Sequence, residues 1–197
     1  MASCRILQNI EKETCSGNAG GIKSKVWAIE RSKLIITKEQ STQNDMSWDS
    51  GIVTLAYATG STSADFVTLE FRKQSSTFSS EATIDPAQGV NFWTNTLSMV
   101  FARQDVNKRT AIQSLILSGD LALIVEDQNG EIHFMGADDT VEPSAAGATT
   151  GTASTDANNY TIDLQDISSE LPYYVTTQNM VDLGLIPGTP SGSGDGE

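Results

Sequence analysis

Short runs of alternating apolar and polar residues, bounded by Gly, Ser, Asn and Asp, recur along this chain, and sustained helical heptads are absent. That pattern predicts strands. IKSKVWAIE (22–30) and KLIIT (33–37) are the first two. In the former, Ile22, Val26 and Ala28 fall on one face and Trp27 and Ile29 on the other, which predicts burial on both faces or an interface on one. TKEQSTQNDMSWDSG (37–51) is polar and reads as a long loop with Trp48 in its middle; loops of that length tend to be functional or mobile. IVTLAYA (52–58) and ADFVTLEFRK (64–73) read as strands, the second with Val67, Leu69 and Phe71 inward. Polar SSTFSSEATIDPAQG (75–89) separates these from NFWTNTLSMVFAR (91–103). There Trp93, Leu97, Met99 and Phe101 share a face opposite Thr94, Thr96 and Ser98.

One helix is predicted, in DVNKRTAIQSLILSGD (105–120). Asp105 suits the N-cap, Ile112, Leu115 and Ile116 make an i, i+3, i+4 stripe, and Gly119 suits C′. Lys108 and Arg109 lie where the helix dipole disfavours cations, which predicts acidic partners elsewhere. DLALIVE (120–126) and EIHFMGA (131–137) form a hairpin around Asn129-Gly130, the pair favoured in a type I′ turn. This register puts Val125 opposite Phe134 and Glu126 opposite His133, with Leu121, Leu123 and Val125 in one buried row. Residues 138–159 are small and hydroxyl-bearing and lack the apolar content to pack alone. YTIDLQDI (160–167) is a strand, and ELPYYVTTQNMVDLGLI (170–186) a further strand and short turn. The chain thus divides into an N-terminal arm (1–21), one β-rich domain (22–183) and a disordered tail (184–197). The expected fold is mainly β: a sandwich or barrel of antiparallel strands with one flanking α-helix, long loops and flexible termini.

Charge sharpens this picture. The first 109 residues hold all 12 Lys and Arg against 11 Asp and Glu, while the remaining 88 hold 14 Asp and Glu and no Lys or Arg, for a net charge of −13. A face of unpaired carboxylates repels phosphate. Gripping nucleic acid is therefore disfavoured, whereas lining a passage through which it slides fits. No apolar run approaches a bilayer span, and the N-terminal segment has no signal-peptide pattern, so cytoplasmic assembly without membrane contact is the expectation.

Chemistry-bearing patterns are sparse. Cys4 and Cys15 can form a disulfide; zinc would need two more ligands. His133, the only imidazole, reads as a cross-strand polar partner rather than a catalytic base. DQNGE (127–131) lacks the spacing of an EF-hand loop. Asp138, Asp139 and Glu142 can ligate a hard cation but read as a solvated acidic loop. GNAGG (17–21) reads as a hinge, since no helix pattern follows it. Neither a catalytic site nor a cofactor or metal is expected. Trp27 and Trp93 suit a core, and Trp48 suits an anchor in a partner.

The segment from 92 to 175 resembles phage tail tube proteins. A helix and an apolar strand lead into EDQNGEIHFMG (126–136), followed by a small-residue loop with GTASTD (151–156), then NNYTIDL (158–164) and ELPYYV (170–175). The resemblance implies a β-sandwich or barrel whose subunits form hexameric rings, stacked into a tube that conducts the genome without catalysis. On that reading the partners are copies of the chain itself and other virion proteins, and DNA passes without specific binding. The location is the virion, after assembly in the host cytoplasm. Trp48, Asp49, Thr149, Thr150 and Thr152 become candidates for inter-subunit contacts, and Glu126, Glu131 and Asp163 for the lumen. Alternatives are a head–tail connector, a capsid-decorating protein, or a carbohydrate- or host-binding β-sandwich using Trp48 and the Tyr173-Tyr174 pair.

Overall fold

The computed structural model of the chain describes residues 18–187 apart from 44 and 45; over 41–49 it describes the backbone alone. Cys4, Cys15, most of the arm and residues 188–197 lie outside that range. The elements in order are β1 (Ile22–Glu30), β2 (Leu34–Gln43), β3 (Met46–Tyr57), β4 (Val67–Glu70), β5 (Thr77–Asp85), β6 (Val90–Ala102), α1 (Val106–Leu117), β7 (Leu121–Asp127), β8 (Ile132–Met135), β9 (Glu142–Thr149), β10 (Asn159–Ser168), β11 (Tyr173–Val175) and α2 (Thr177–Asp182). They build a seven-stranded sheet, β2-β3-β11-β8-β7-β1-β4, and a four-stranded sheet, β5-β6-β10-β9. Pairing is antiparallel except between β11 and β3. The chain is therefore mainly β, with two antiparallel-rich sheets and one main helix, as its pattern predicts.

The larger sheet is buried on both faces. Ile22, Val26, Ala28, Leu121, Leu123 and Val125 meet Leu97, Met99, Phe101, Ile162 and Leu164 of the smaller sheet, with Ile112, Leu115 and Ile116 of α1 closing the side. Trp27, Ile29, Ala122, Ile124 and Phe134 point the other way and are covered by Met180 and Leu183 of the α2 region and by Leu185 and Ile186. The double alternation read in β1 thus has its physical cause in two hydrophobic layers. Asn179 fastens α2 to β3. Its Oδ1 accepts from Leu55 N (2.8 Å) and its Nδ2 donates to Leu55 O (2.9 Å), two residues past the point where β11 stops pairing with β3.

Three stretches expected to be irregular are strands. Residues 37–51 run in the β2–β3 ladder, paired from Leu34↔Tyr57 to Gln43↔Met46. Residues 75–89 contain β5, paired with β6 from Thr77↔Ser98 to Asp85↔Val90. Residues 138–159 contain β9, paired with β10. All three include an edge strand of their sheet. Edge strands are held by ladder bonds on one side and bury few side chains, so hydrophobic alternation is weak there. The same cause corrects Val67, expected inward: on edge strand β4 it is 58% exposed.

The β7–β8 hairpin is shifted by one residue from the expected register. Val125 faces His133, Ile124 faces Phe134, and Glu126 faces Ile132. Asp127 N donates to Glu131 O and Gly130 N to Asp127 O, with Gly130 at φ 96° and Asn129 outside the positive-φ residues. This is a three-residue loop with Gly130 in a bulge, not a two-residue type I′ turn. Asp127 Oδ1 accepts from Asn129 N (2.8 Å) and Glu131 N (2.9 Å), fixing the longer loop. Burial of β7 on both faces means that alternation could not choose between the two registers.

In α1, Asp105 is the N-cap and accepts from Lys108 N at 2.8 Å. Two expectations there fail. Gly119 is not among the positive-φ glycines; the helix ends when Ser118 N bonds back to Ser114 and Leu115. Lys108 needs no distant acid, because Nζ pairs with Asp105 (3.2 Å) and donates to Ala102 O and Arg103 O.

Candidate assembly surface

The smaller sheet presents its outer face to solvent. Register fixes that face: Ser79, Thr96 and Gln165 share one row, Glu81, Thr94 and Ile167 the next, and Thr77, Ser98 and Asp163 another. The opposite residues, Phe78, Leu97 and Leu164, enter the core. The outer face is thus mainly hydroxyl and small side chains, with the carboxylates of Glu81, Asp85, Glu142 and Asp163, and none of its strands carries Lys or Arg. Its two margins, β5 and β9, have hydrogen-bonded neighbours on one side only. Gly147 keeps β9 close to β10: a Cβ there would lie 2.9 Å from Thr161 Oγ1.

The contact candidates are spread over two places. Trp48 and Asp49 pair through their backbones with Ser41 and Gln40 in the β2–β3 ladder; their side chains lie outside the described part. Thr149 ends β9, while Thr150 and Thr152 sit in the exposed 150–158 connection. Asp156 shapes that connection by accepting from Thr152 N and Ala153 N, both at 2.7 Å. Those backbone bonds hold its pKa below the usual carboxylate value.

The lumen candidates do not share a surface. Asp163 is half-exposed on the outer face of the smaller sheet. Glu126 and Glu131 belong to the β7–β8 hairpin of the larger sheet, and Glu126 is ion-paired with Lys23. Glu81 was missed. The signal was present: Phe78, Ser80, Ala82 and Ile84 alternate against Ser79, Glu81 and Thr83, but with side chains too small to stand out.

The lone histidine is a packing element. His133 lies between Phe78 (ring centroids 5.1 Å apart) and Tyr174 (4.9 Å). Burial lowers its pKa, against the raising influence of Asp127 and Glu131. Tyr173 is only 1% exposed while Tyr174 is 41% exposed, so the two cannot form a paired sugar-stacking platform. The 17–21 segment, read as a hinge, is strapped over its described part to the nearby turn: Ala19 N donates to Asn129 Oδ1 (2.8 Å) and Gln128 N to Gly21 O (3.0 Å).

Two acidic groups join the layers. Asp166, buried on β10, accepts from Gly136 N (2.8 Å) at the end of β8. Its other oxygen and Asn95 Oδ1 are buried without partners. Burial raises the Asp166 pKa, only partly offset by the hydrogen bond from Gly136 N and the neighbouring Asn95 amide. Burial also acts to raise Asp138, but its ion pair with Lys38 and bonds from Ser169 win and hold it low. Among the described residues no cluster of His, Cys, Asp and Glu is placed to hold a metal ion, and no helix is long and apolar enough to cross a membrane. Compared with protein-family models, curated proteins and solved structures, the chain matches none.

Proposed function

We propose that this chain is a self-assembling structural subunit of the phage tail tube type, whose copies close head-to-tail into a ring around an acidic bore. The observation that carries this reading is the direction of the two open edges. Four antiparallel strands in the order β5-β6-β10-β9 leave β5 and β9 running in opposite directions. A second copy related by rotation about an axis along the strands brings its β9 antiparallel to β5 of the first. The smaller sheet then continues without a change of pattern, and if the rotation closes, neither of its edges remains open. Each ladder bond gained contributes about 1 kcal/mol.

The outer face fits a wall past which DNA moves. Hydroxyls and carboxylates without cations give no counterion-release gain, so a duplex is not held. Asp163 and Glu81 are the bore residues on this reading. Six subunits per ring, stacking into a tube, and a place in the virion after cytoplasmic assembly are what the resemblance to tail tube proteins adds.

The test is to break the edges without breaking the fold. Ala82→Pro and Ala146→Pro lie one on each open edge, at exposed positions whose N–H points away from the sheet, where proline is tolerated best. Sedimentation should show assemblies for the parent chain and folded monomers for either variant. A parent that stays monomeric at millimolar concentration, or variants that assemble like the parent, would contradict the proposal.

A further inference from the structure

The two layers of the sandwich are offset. One row of side chains on the inner face of the larger sheet runs Val26, Val125, His133, Tyr174, Ile52 across β1, β7, β8, β11 and β3. Val26 and Val125 are fully buried. Phe78 of β5 lies against the His133 ring, and β5 is the last strand of the smaller sheet on that side. Past it the cover ends, and Tyr174 is 41% exposed. On the same face, Ile35 pairs with Ala56 and Thr37 with Thr54, and all four are exposed. β11, β3 and β2 thus form a ledge that projects beyond β5. Its side chains, Ile35, Thr37, Ile52, Thr54, Ala56 and Tyr174, are uncharged. The neighbouring Glu39 carboxylate accepts from Thr54 Oγ1 (2.7 Å).

On the other side it is the smaller sheet that projects. On β9, Ala146 pairs with Ile162 and Ala148 with Tyr160, so both point to the inner face. Ile162 is 0% exposed, yet Ala146 and Ala148 are exposed, as is every residue of β9 except Pro143. Charged side chains commonly guard an edge strand against pairing. Past Glu142, β9 has none, and residues 143–155 carry no charge.

The two projections match in height and direction. Phe78, Leu97, Leu164 and Pro143 share one row of the smaller sheet. A copy rotated about an axis along the strands keeps that height, so its Pro143 arrives beside Phe78, above Tyr174 and Ile52. Leu164 shares the row of Phe78, which meets His133, and Asp166 beyond it bonds Gly136 beyond His133. β10 therefore runs with β8, while β9 and β3 run against both. From Pro143 toward Ala146 and Ala148, the incoming strand follows Ile52 toward Thr54 and Ala56.

We propose that this ledge seats β9 of a second copy, with Ala146 over Thr54 and Ala148 over Ala56, so that the larger sheet of one subunit underlies the smaller sheet of the next. The inference rests on the proposed pairing of β9 with β5 and adds a second layer to that joint. Three strands about 4.8 Å apart and about five residues long offer roughly 250 Å². A stable interface takes about 800 Å² from each partner, so the ledge completes the strand pairing and does not replace it.

Chains with one cysteine each test the contact. In a Cys4→Ser/Cys15→Ser background, the Ala56→Cys chain is mixed with the Ala148→Cys chain and treated with a short bismaleimide. The expected product is the mixed dimer, in about tenfold or greater excess over either chain linked to itself, because seating raises the effective concentration of one thiol at the other. Either chain linked mainly to itself, or no cross-link between chains that sediment as assemblies, would overturn the inference and leave the edge pairing standing. A mixed dimer from chains that form no closed ring would remove the closure and keep the ledge. Neither assembly nor cross-link at millimolar concentration would remove both. Ala56→Arg, at an exposed position, gives a second reading in the otherwise unaltered chain. Its circular dichroism should match the parent's. Its assembly should weaken by about tenfold or more, since the seated strand leaves a covered cation unpaired, and adding Ala148→Asp should recover part of the loss. Assembly of Ala56→Arg equal to the parent's would count against the ledge.

Discussion

At the residue scale, buried polar groups hold the layers together at unequal cost. Asn179 replaces a missing strand neighbour by meeting both backbone groups of Leu55. Asn179→Ala leaves a buried donor and acceptor unmet, each worth roughly 1–3 kcal/mol. Urea unfolding should therefore show a loss on the order of 3 kcal/mol; a change below about 1 kcal/mol would contradict this role. Asp166 behaves in the opposite sense. Its folded pKa is raised by burial, so the folded state binds the proton more tightly than the unfolded chain, and its contribution to stability falls as pH rises through that folded value. Asp166→Asn retains an acceptor for Gly136 N and supplies a donor for Asn95 Oδ1. The variant should be about 1–2 kcal/mol more stable at pH 7, with the gain shrinking as pH drops toward about 4. Asp138 has a lowered pKa, so its stabilisation is present above the unfolded carboxylate value and is lost as pH falls through the folded one. Asp138→Asn should flatten that acid limb, read from urea midpoints between pH 3 and 7.

At the element scale, turn chemistry sets the hairpin register. Gly130 at φ 96° occupies a conformation that costs an L-residue about 1–2 kcal/mol. Gly130→Ala should lower the unfolding free energy by about that amount, measured by thermal or urea denaturation, with no change in the β6–β10 ladder. The hairpin also shows what a sequence can convey. Asn129-Gly130 located the turn, but loop length depends on which groups Asp127 caps, and that is invisible to a pattern. Strands in the core, β1, β6, β7 and β10, were legible because they bury alternating side chains. Edge strands β5 and β9 were not, because hydrogen bonds to one neighbour hold them and their small polar side chains resemble those of loops. Asn179 was equally hidden: nothing separates a ladder-completing amide from any other Asn until β3 and α2 are placed together.

At the scale of the whole molecule, charge segregation along the chain is divided between the two layers. The acid-rich second half supplies β9 and β10 of the smaller sheet and also β7 and β8 of the larger one. The candidate surface was half legible. Asp163 lies on the face of the smaller sheet, as its strand alternation allows, whereas Glu126 and Glu131 went to the other sheet because a sandwich divides consecutive strands between layers. Glu81 belongs to the face but was concealed in a stretch read as connecting chain. The central claim is that open edges β5 and β9 join successive copies into a closed ring. Electron microscopy with averaging of the purified parent chain at low salt tests it most directly. The account predicts closed rings with a continuous inner β-wall carrying Glu81 and Asp163; open chains, isolated monomers, or a wall lined by Arg72, Lys73 and Arg103 would contradict it.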